Sequence, residues 1–136
     1  MILASGCVVY RDGEVLLMHR VHCPKFNDVW SNPGGKIKRG EIAEAAAIRE
    51  TREELGIGVK IIIPLGTYLD YERDTVAGRF HGFLAELAEG TPTIREPDKC
   101  DGLEWFSFRR IPSHVAPYTM QYLDELVHYL IQHRRT

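Results

Sequence analysis

The sequence predicts an α/β fold in one domain spanning residues 1–136, with a mixed β-sheet between helices. Three observations lead there. Short β-branched runs alternate with two stretches that suit helices. Glycine, proline and aspartate punctuate the chain between them. A length of 136 residues, 44% of them hydrophobic, supports a single core.

Gly6 to Tyr10 and Glu14 to His19 are β-rich and flank Asp12-Gly13, a hairpin signal. Val21 to Asn32 is polar, aromatic and proline-containing, so it reads as a loop, and Pro33-Gly34-Gly35 ends it in a sharp turn. Glu41 to Leu55 reads as a helix favoured by its alanines and closed by Gly56. Val59 to Ile63 is a short strand. Gly66 to Arg73 and Arg79 to Leu87 are two more, joined near Asp74 to Gly78. Glu89 to Asp101, with Pro92 and Pro97, reads as a loop, and Leu103 to Phe108 as a strand. Pro117 to His133 is the second helix. Its Met120, Leu123, Val127, Leu130 and Ile131 keep helical spacing and are expected to face the core.

A net charge of −2 gives no overall attraction to nucleic acid or to an anionic membrane. Phosphate binding must therefore be local or metal-mediated. No apolar run approaches the ~20 residues of a membrane span, so no membrane partner is expected. Cys7, Cys23 and Cys100 lack Cys-x-x-Cys spacing, which argues against a zinc site or a disulfide framework. Free thiols suit a reducing cytoplasm, the expected location. Ala4-Ser5-Gly6-Cys7 lacks the basic and apolar flanks of a lipoprotein cleavage site.

The segment from Gly35 to Ile57 carries the chemistry. At ~100° per residue, Glu50, Glu53 and Glu54 fall within an arc of roughly 100° on the helix. Ala43, Ala46 and Ala47 share that side and suggest room for metal ions and a bulky anion. Ile48, Thr51 and Leu55 lie opposite and should pack on the sheet. The competing reading is a solvated acidic face neutralised by Arg49 and Arg52. Gly34 and Gly35 before the helix favour the metal site, because they permit close backbone approach.

Gly35, Glu41, Arg49, Glu50, Glu53, Glu54, Gly56 and Ile57 together match the signature G-x5-E-x7-R-E-U-x-E-E-x-G-U, where U is a bulky aliphatic residue. Thr51 at the first U is the one departure. On these residues the chain resembles the Nudix (MutT-like) hydrolases. Trp30 to Gly35, and Leu103-Glu104-Trp105-Phe106 followed by Ile111-Pro112, are similar to further parts of that family. The resemblance implies an α/β/α sandwich over the whole chain. It implies hydrolysis of a phosphoanhydride in a nucleoside diphosphate linked to another moiety, with Mg²⁺, or Mn²⁺ in its place, as cofactor. Glu50, Glu53 and Glu54 would hold the metal with the Gly35 carbonyl, and Glu41 would complete the metal site or pair with Arg49. The general base would be Glu53, Glu54 or an acid among Glu96, Asp98, Asp101 and Glu104. Arg49 would orient a glutamate.

The substrate is expected to be a small nucleotide, most simply a nucleoside triphosphate giving monophosphate and pyrophosphate. An ADP-sugar or other nucleoside diphosphate derivative is the alternative, and a non-catalytic nucleotide sensor is a further one. Arg20 could hold a phosphate or pair with a carboxylate, and Lys36 could attract a polyphosphate. Phe26 or Trp30 could stack a base, although Trp30 could equally pack beneath the glycine turn. Asp98 is a further candidate on the substrate side. Members of the family often dimerise, so a homodimer is possible, although no apolar stripe in the sequence selects an interface. There is no basic tract to suggest nucleic acid as a partner.

Overall fold

In a computed structural model, residues 1–133 are described. A mixed sheet is built from β1 (Ile2–Arg11), β2 (Glu14–Arg20), β3 (Val29–Ser31), β4 (Gly34–Lys36), β5 (Gly58–Glu72), β6 (Thr75–Glu89) and β7 (Cys100–Ser107). The helices are α1 (Ala43–Leu55) and α2 (Pro117–Gln132), with a 3-10 turn at Phe108–Arg110. The path β3-β2-β1-β6-β5 forms the spine, β4 adds to β1, and β7 adds to β2. Only the β1–β6 pairing is parallel among the described strands.

Strand alternation divides the core between two faces. Cys7, Val9, Leu16, Met18, Phe83 and Ala85 join Ala47 and Leu55 of α1. Val8, Val15, Leu17 and Leu84 join Tyr122, Leu123 and Leu126 of α2. This is the expected α/β/α arrangement. Cys7 is fully buried inside β1. The Asp12-Gly13 hairpin forms with both residues at positive φ, 49° and 83°, the twist a two-residue turn requires.

Several local readings change. Val59–Ile63 and the expected strand from Gly66 form one continuous strand ending at Glu72, one residue short of the expected Arg73, because Pro64 and Gly66 are absorbed as register shifts against β6. Thr75 to Gly78 also belongs to β6, leaving Arg73-Asp74 as the turn between paired Glu72 and Thr75. Pro33-Gly34-Gly35 is not simply a turn: Gly34 and Gly35 lie in β4, paired with Gly6 and Ser5. Within the presumptive loop 21–32, Val29–Ser31 pairs with β2.

The first helix starts at Ala43, so Glu41 precedes it. Gly56 ends it at φ 71°, its N–H donating to the Arg52 carbonyl. Ala46 and Ala47 are fully buried with Thr51 and Leu55. The small face therefore does not open space beside the glutamates. It lets the helix approach β1, where the Ser5 hydroxyl donates to the Ala43 carbonyl at 2.6 Å. On α2 the buried side is Thr119, Tyr122, Leu123 and Leu126, whereas Met120, Val127 and Ile131 are exposed. The expected apolar face is rotated because Tyr122 turns inward, its hydroxyl donating to the Phe80 carbonyl at 2.6 Å.

Candidate active site

The site lies where α1 passes over the glycine strand β4. A Cβ on Gly35 would meet the Glu50 carboxyl, so that carboxyl rests directly on backbone. One residue earlier, the Gly34 N–H donates to Glu54 Oε1 at 2.7 Å. Gly34 itself crosses Gly6 and Ser5 of β1 so closely that a Cβ would meet the Ser5 carbonyl oxygen at 2.7 Å. Two consecutive glycines thus seat two consecutive-turn carboxylates.

Arg49 binds the neighbouring acids. Its Nε and Nη2 donate to Glu41 Oε2 and Oε1 at 2.8 and 2.9 Å. Nη1 donates to Glu53 Oε2 at 2.8 Å and to Glu50 Oε2 at 3.3 Å, while Nη2 also donates to the Lys36 carbonyl at 3.0 Å. The fork of a guanidinium suits this fan, since it presents several fixed donors in one plane. Those bonds hold the Glu41 carboxyl down at about 2. The hydrogen bonds Arg49 donates to Glu41 and then to Glu53 push its own pKa upward against its desolvation.

A cleft of 750 Å³ opens beside Glu50 and Glu54. Burial pushes the Glu54 carboxyl up to about 8, opposed by the Gly34 N–H and reinforced by Glu50 and Glu96. Burial also raises Glu50, with Arg49 opposing. Glu96 reaches the same cleft because its loop is tied to the end of α1. The N–H groups of Thr93 and Arg95 donate to the carbonyls of Leu55 and Glu54 at 2.9 and 3.0 Å. Those bonds also satisfy helix-end carbonyls that would otherwise lack partners.

Arg20, Phe26 and Lys36 line the cleft, as do Lys25, Lys99, Phe80 and Tyr118. Among the described residues Arg20 pairs with no carboxylate; its Nε donates to the Phe26 carbonyl at 2.9 Å. Trp30 and Asp98 are not among the lining residues. Trp30 does not lie beneath the glycine turn either. It packs on Phe106 and His19, at 4.9 and 5.2 Å between centroids, and covers Gly102. Glu41, Arg49 and Glu53 also lie outside the lining. Phe80, Tyr118 and Lys25 were not singled out from the sequence. Nothing in their local spacing marks them, since they come from β6, α2 and the loop after β2.

Among the described residues, no three His, Cys, Asp or Glu side chains are gathered closely enough to hold one ion. The donor set still fits a small hard divalent cation. Glu50, Glu54 and Glu96 are all carboxylates, and the charge of Glu96 adds to burial in raising the proton affinity of both Glu50 and Glu54. A Mg²⁺-type ion commonly takes only one or two carboxylates, completing its shell with water and phosphate.

The NUDIX domain model matches residues 2–127. The chain belongs to the Nudix family and is a Nudix hydrolase, of the class acting on acid anhydrides in phosphorus-containing compounds. It is 36% identical over 114 residues to an ADP-ribose pyrophosphatase from Methanocaldococcus jannaschii, covering 81% of this chain and 64% of that one. It is 34% identical over 95 residues to a CTP pyrophosphohydrolase from Escherichia coli, covering 62% and 67%. Its fold superposes on a MutT NUDIX hydrolase from Burkholderia pseudomallei with a TM-score of 0.85 at 29% identity, covering 92% and 97%.

Proposed function

We propose that this chain hydrolyses a nucleoside triphosphate to the monophosphate and pyrophosphate, with Mg²⁺ as cofactor and Mn²⁺ as a substitute. The observation that carries the reading is the seating of Glu50 and Glu54 on the Gly34–Gly35 backbone at the mouth of a cleft that also presents Arg20, Lys36 and Lys99. Carboxylates for a cation lie beside cations for phosphate oxygens.

Glu50 and Glu54 would hold the metal with the Gly35 carbonyl, and Glu53, bonded to Arg49, would add its charge beside them. When bound, the metal neutralises phosphate oxygens and makes water easier to deprotonate. Glu41 and Arg49 fix the carboxylates in position. Glu96 would take a proton from the attacking water, a reading supported by its loop's backbone bonds to α1 and by its lining the cleft. Arg20 and Lys36 draw in the polyphosphate. A second reading, a nucleoside diphosphate derivative such as ADP-ribose, is favoured by the 36% identical relative of that specificity.

A phosphate-release screen over nucleoside triphosphates, nucleotide sugars and capped RNA, with and without Mg²⁺, tests this. Pyrophosphate plus monophosphate supports the leading reading. Monophosphates from a nucleotide sugar support the second. Silence throughout would reduce the protein to a nucleotide-binding module.

A further inference from the structure

We propose, building on the hydrolytic reading, that the buried Thr119 hydroxyl of α2 is a positioning residue for the active site: acting through the Asn32 carboxamide, it aims the Pro33–Gly34 peptide whose N–H seats Glu54.

The need arises from β4 itself. It has three residues, and the first two, Gly34 and Gly35, have no side chain to anchor them. The Gly34 N–H that donates to Glu54 Oε1 at 2.7 Å belongs to the same peptide unit as the Pro33 carbonyl. In a planar trans peptide those two groups point in opposite directions, so whatever fixes the carbonyl also fixes the N–H. Two donors fix it. The Cys7 N–H of β1 donates to the Pro33 oxygen at 3.1 Å, and Asn32 Nδ2 donates to it at 3.0 Å. A Cβ on Gly6 would meet Asn32 Nδ2 at 2.6 Å, so the carboxamide lies flat against bare backbone.

Thr119 holds that carboxamide. Its hydroxyl donates to Asn32 Oδ1 at 2.6 Å and accepts from the Asn32 backbone N–H at 3.1 Å, closing a reciprocal pair. Thr119 and Asn32 are both buried. The hydroxyl stands where a backbone carbonyl would otherwise serve. Residues 114–116 run parallel to β3: the Trp30 N–H donates to the His114 carbonyl at 2.8 Å, and the Ala116 N–H to the Trp30 carbonyl at 2.9 Å. The next rung of that ladder would run from the Asn32 N–H to the Ala116 carbonyl. That carbonyl instead accepts from the Met120 N–H at 3.1 Å, the first bond of α2. Thr119, in the first turn of the helix, supplies the missing acceptor, and its O–H reaches on to the Asn32 side chain. A valine of the same shape would leave the Asn32 N–H and Oδ1 buried without a partner. Thr119 is not among the residues lining the cleft, so its action on a bound ion passes through Asn32 and the glycine strand.

Amide hydrogen exchange, read by nuclear magnetic resonance on the metal-free protein, tests the geometry, and Mg²⁺ titration calorimetry tests its consequence. In Thr119→Val the Gly34 amide should exchange about tenfold faster or more, the scale of one hydrogen bond to a charged group, while the central amides of β1 and β6 keep their protection. Thr119→Ser, which keeps the hydroxyl, should restore Gly34. Mg²⁺ affinity should fall about 10–100-fold in Thr119→Val, as when a partner of a metal ligand is removed, and return in Thr119→Ser. Asn32→Ala breaks the same link at its other end and should repeat the Thr119→Val result, so it carries the test if Thr119→Val does not fold. Unchanged Gly34 protection in folded Thr119→Val or Asn32→Ala overturns the positioning role. Equal loss of protection at Gly34 and in the central strands overturns it too, as does a Thr119→Ser that behaves like Thr119→Val. Hydrolysis plays no part in the amide readout. A parent protein that binds no Mg²⁺ therefore counts against the hydrolytic reading alone, and the Gly34 amide still decides the role of Thr119.

Discussion

Arg49 grips Glu41 with two parallel hydrogen bonds, Nε to Oε2 at 2.8 Å and Nη2 to Oε1 at 2.9 Å. The same guanidinium reaches Glu50 and Glu53, so one side chain sets the positions of three acids. Lysine offers no fork. Arg49→Lys is expected to lower hydrolysis by about 10–100-fold, the usual effect of removing a residue that orients metal ligands. It should also weaken metal binding, measured by calorimetry. Unchanged activity would mean the fan is only a surface network.

Gly35 is needed for the absence of its Cβ. Gly35→Ala drives a methyl group into the Glu50 carboxyl, which must move. A displacement of about 1 Å at a reacting centre costs roughly 100-fold, so kcat should fall on that scale. Far-ultraviolet circular dichroism should stay unchanged, because Gly35 lies at normal strand dihedrals and a second side chain, not the backbone, yields.

Glu54 makes the metal-free protein sensitive to alkali. Its carboxyl titrates near 4.5 when unfolded and at about 8 in the fold, raised chiefly by burial. Between those values the folded state holds the extra proton, so this group's contribution is full below 4.5 and is lost as pH rises through 8. In chelator at pH 8.5, Glu54→Gln should resist urea better than the parent, by about 1 kcal/mol or more. At pH 4 the two should converge. A parent protein equally stable at both pH values, relative to this variant, would contradict the assignment.

Glu96 and Asp98 are two residues apart, yet only Glu96 lines the cleft. If Glu96 takes the proton, Glu96→Gln should lower kcat by about 10²–10⁴-fold, the range for a general base. Asp98→Asn should leave turnover within a few-fold. The reverse pattern, read in the same steady-state assay, would transfer the role to Asp98.

Glu53 is more exposed than Glu50, with side-chain accessibilities of 46% and 17%. Glu53→Gln is still expected to lower hydrolysis by about two orders of magnitude or more, on the scale of lost metal charge. Thermal denaturation should show little loss of fold, since the side chain contributes almost nothing to the core.

Much of this was legible because it is local. The Asp12-Gly13 hairpin and the Gly56 cap follow from residues that alone tolerate positive φ without cost. The ring of acids on α1 follows from helical periodicity, and its match to the family signature from fixed spacing. The errors arose where a neighbour distant in sequence decided. Periodicity could not show that Ala46 and Ala47 would be buried against β1, or that Tyr122 would rotate the core face of α2. Pro64 and Gly66 look like strand breakers, but pairing with β6 accommodates both as bulges.

By itself, the sequence determined the reaction class, because Gly35 to Ile57 carries the family signature within a single turn and helix. Only the tertiary structure decided which acid of the later loop lines the cleft beside Glu50 and Glu54, and what forms the opposite wall. Glu96 arrives through backbone bonds to α1. Phe26, Phe80 and Tyr118 meet from a loop, a strand and a helix separated by 54 and 38 residues. Such contacts come from sheet order and packing, which have no signature in local periodicity, so the chemistry is written along the chain and the ligand's shape is written across it.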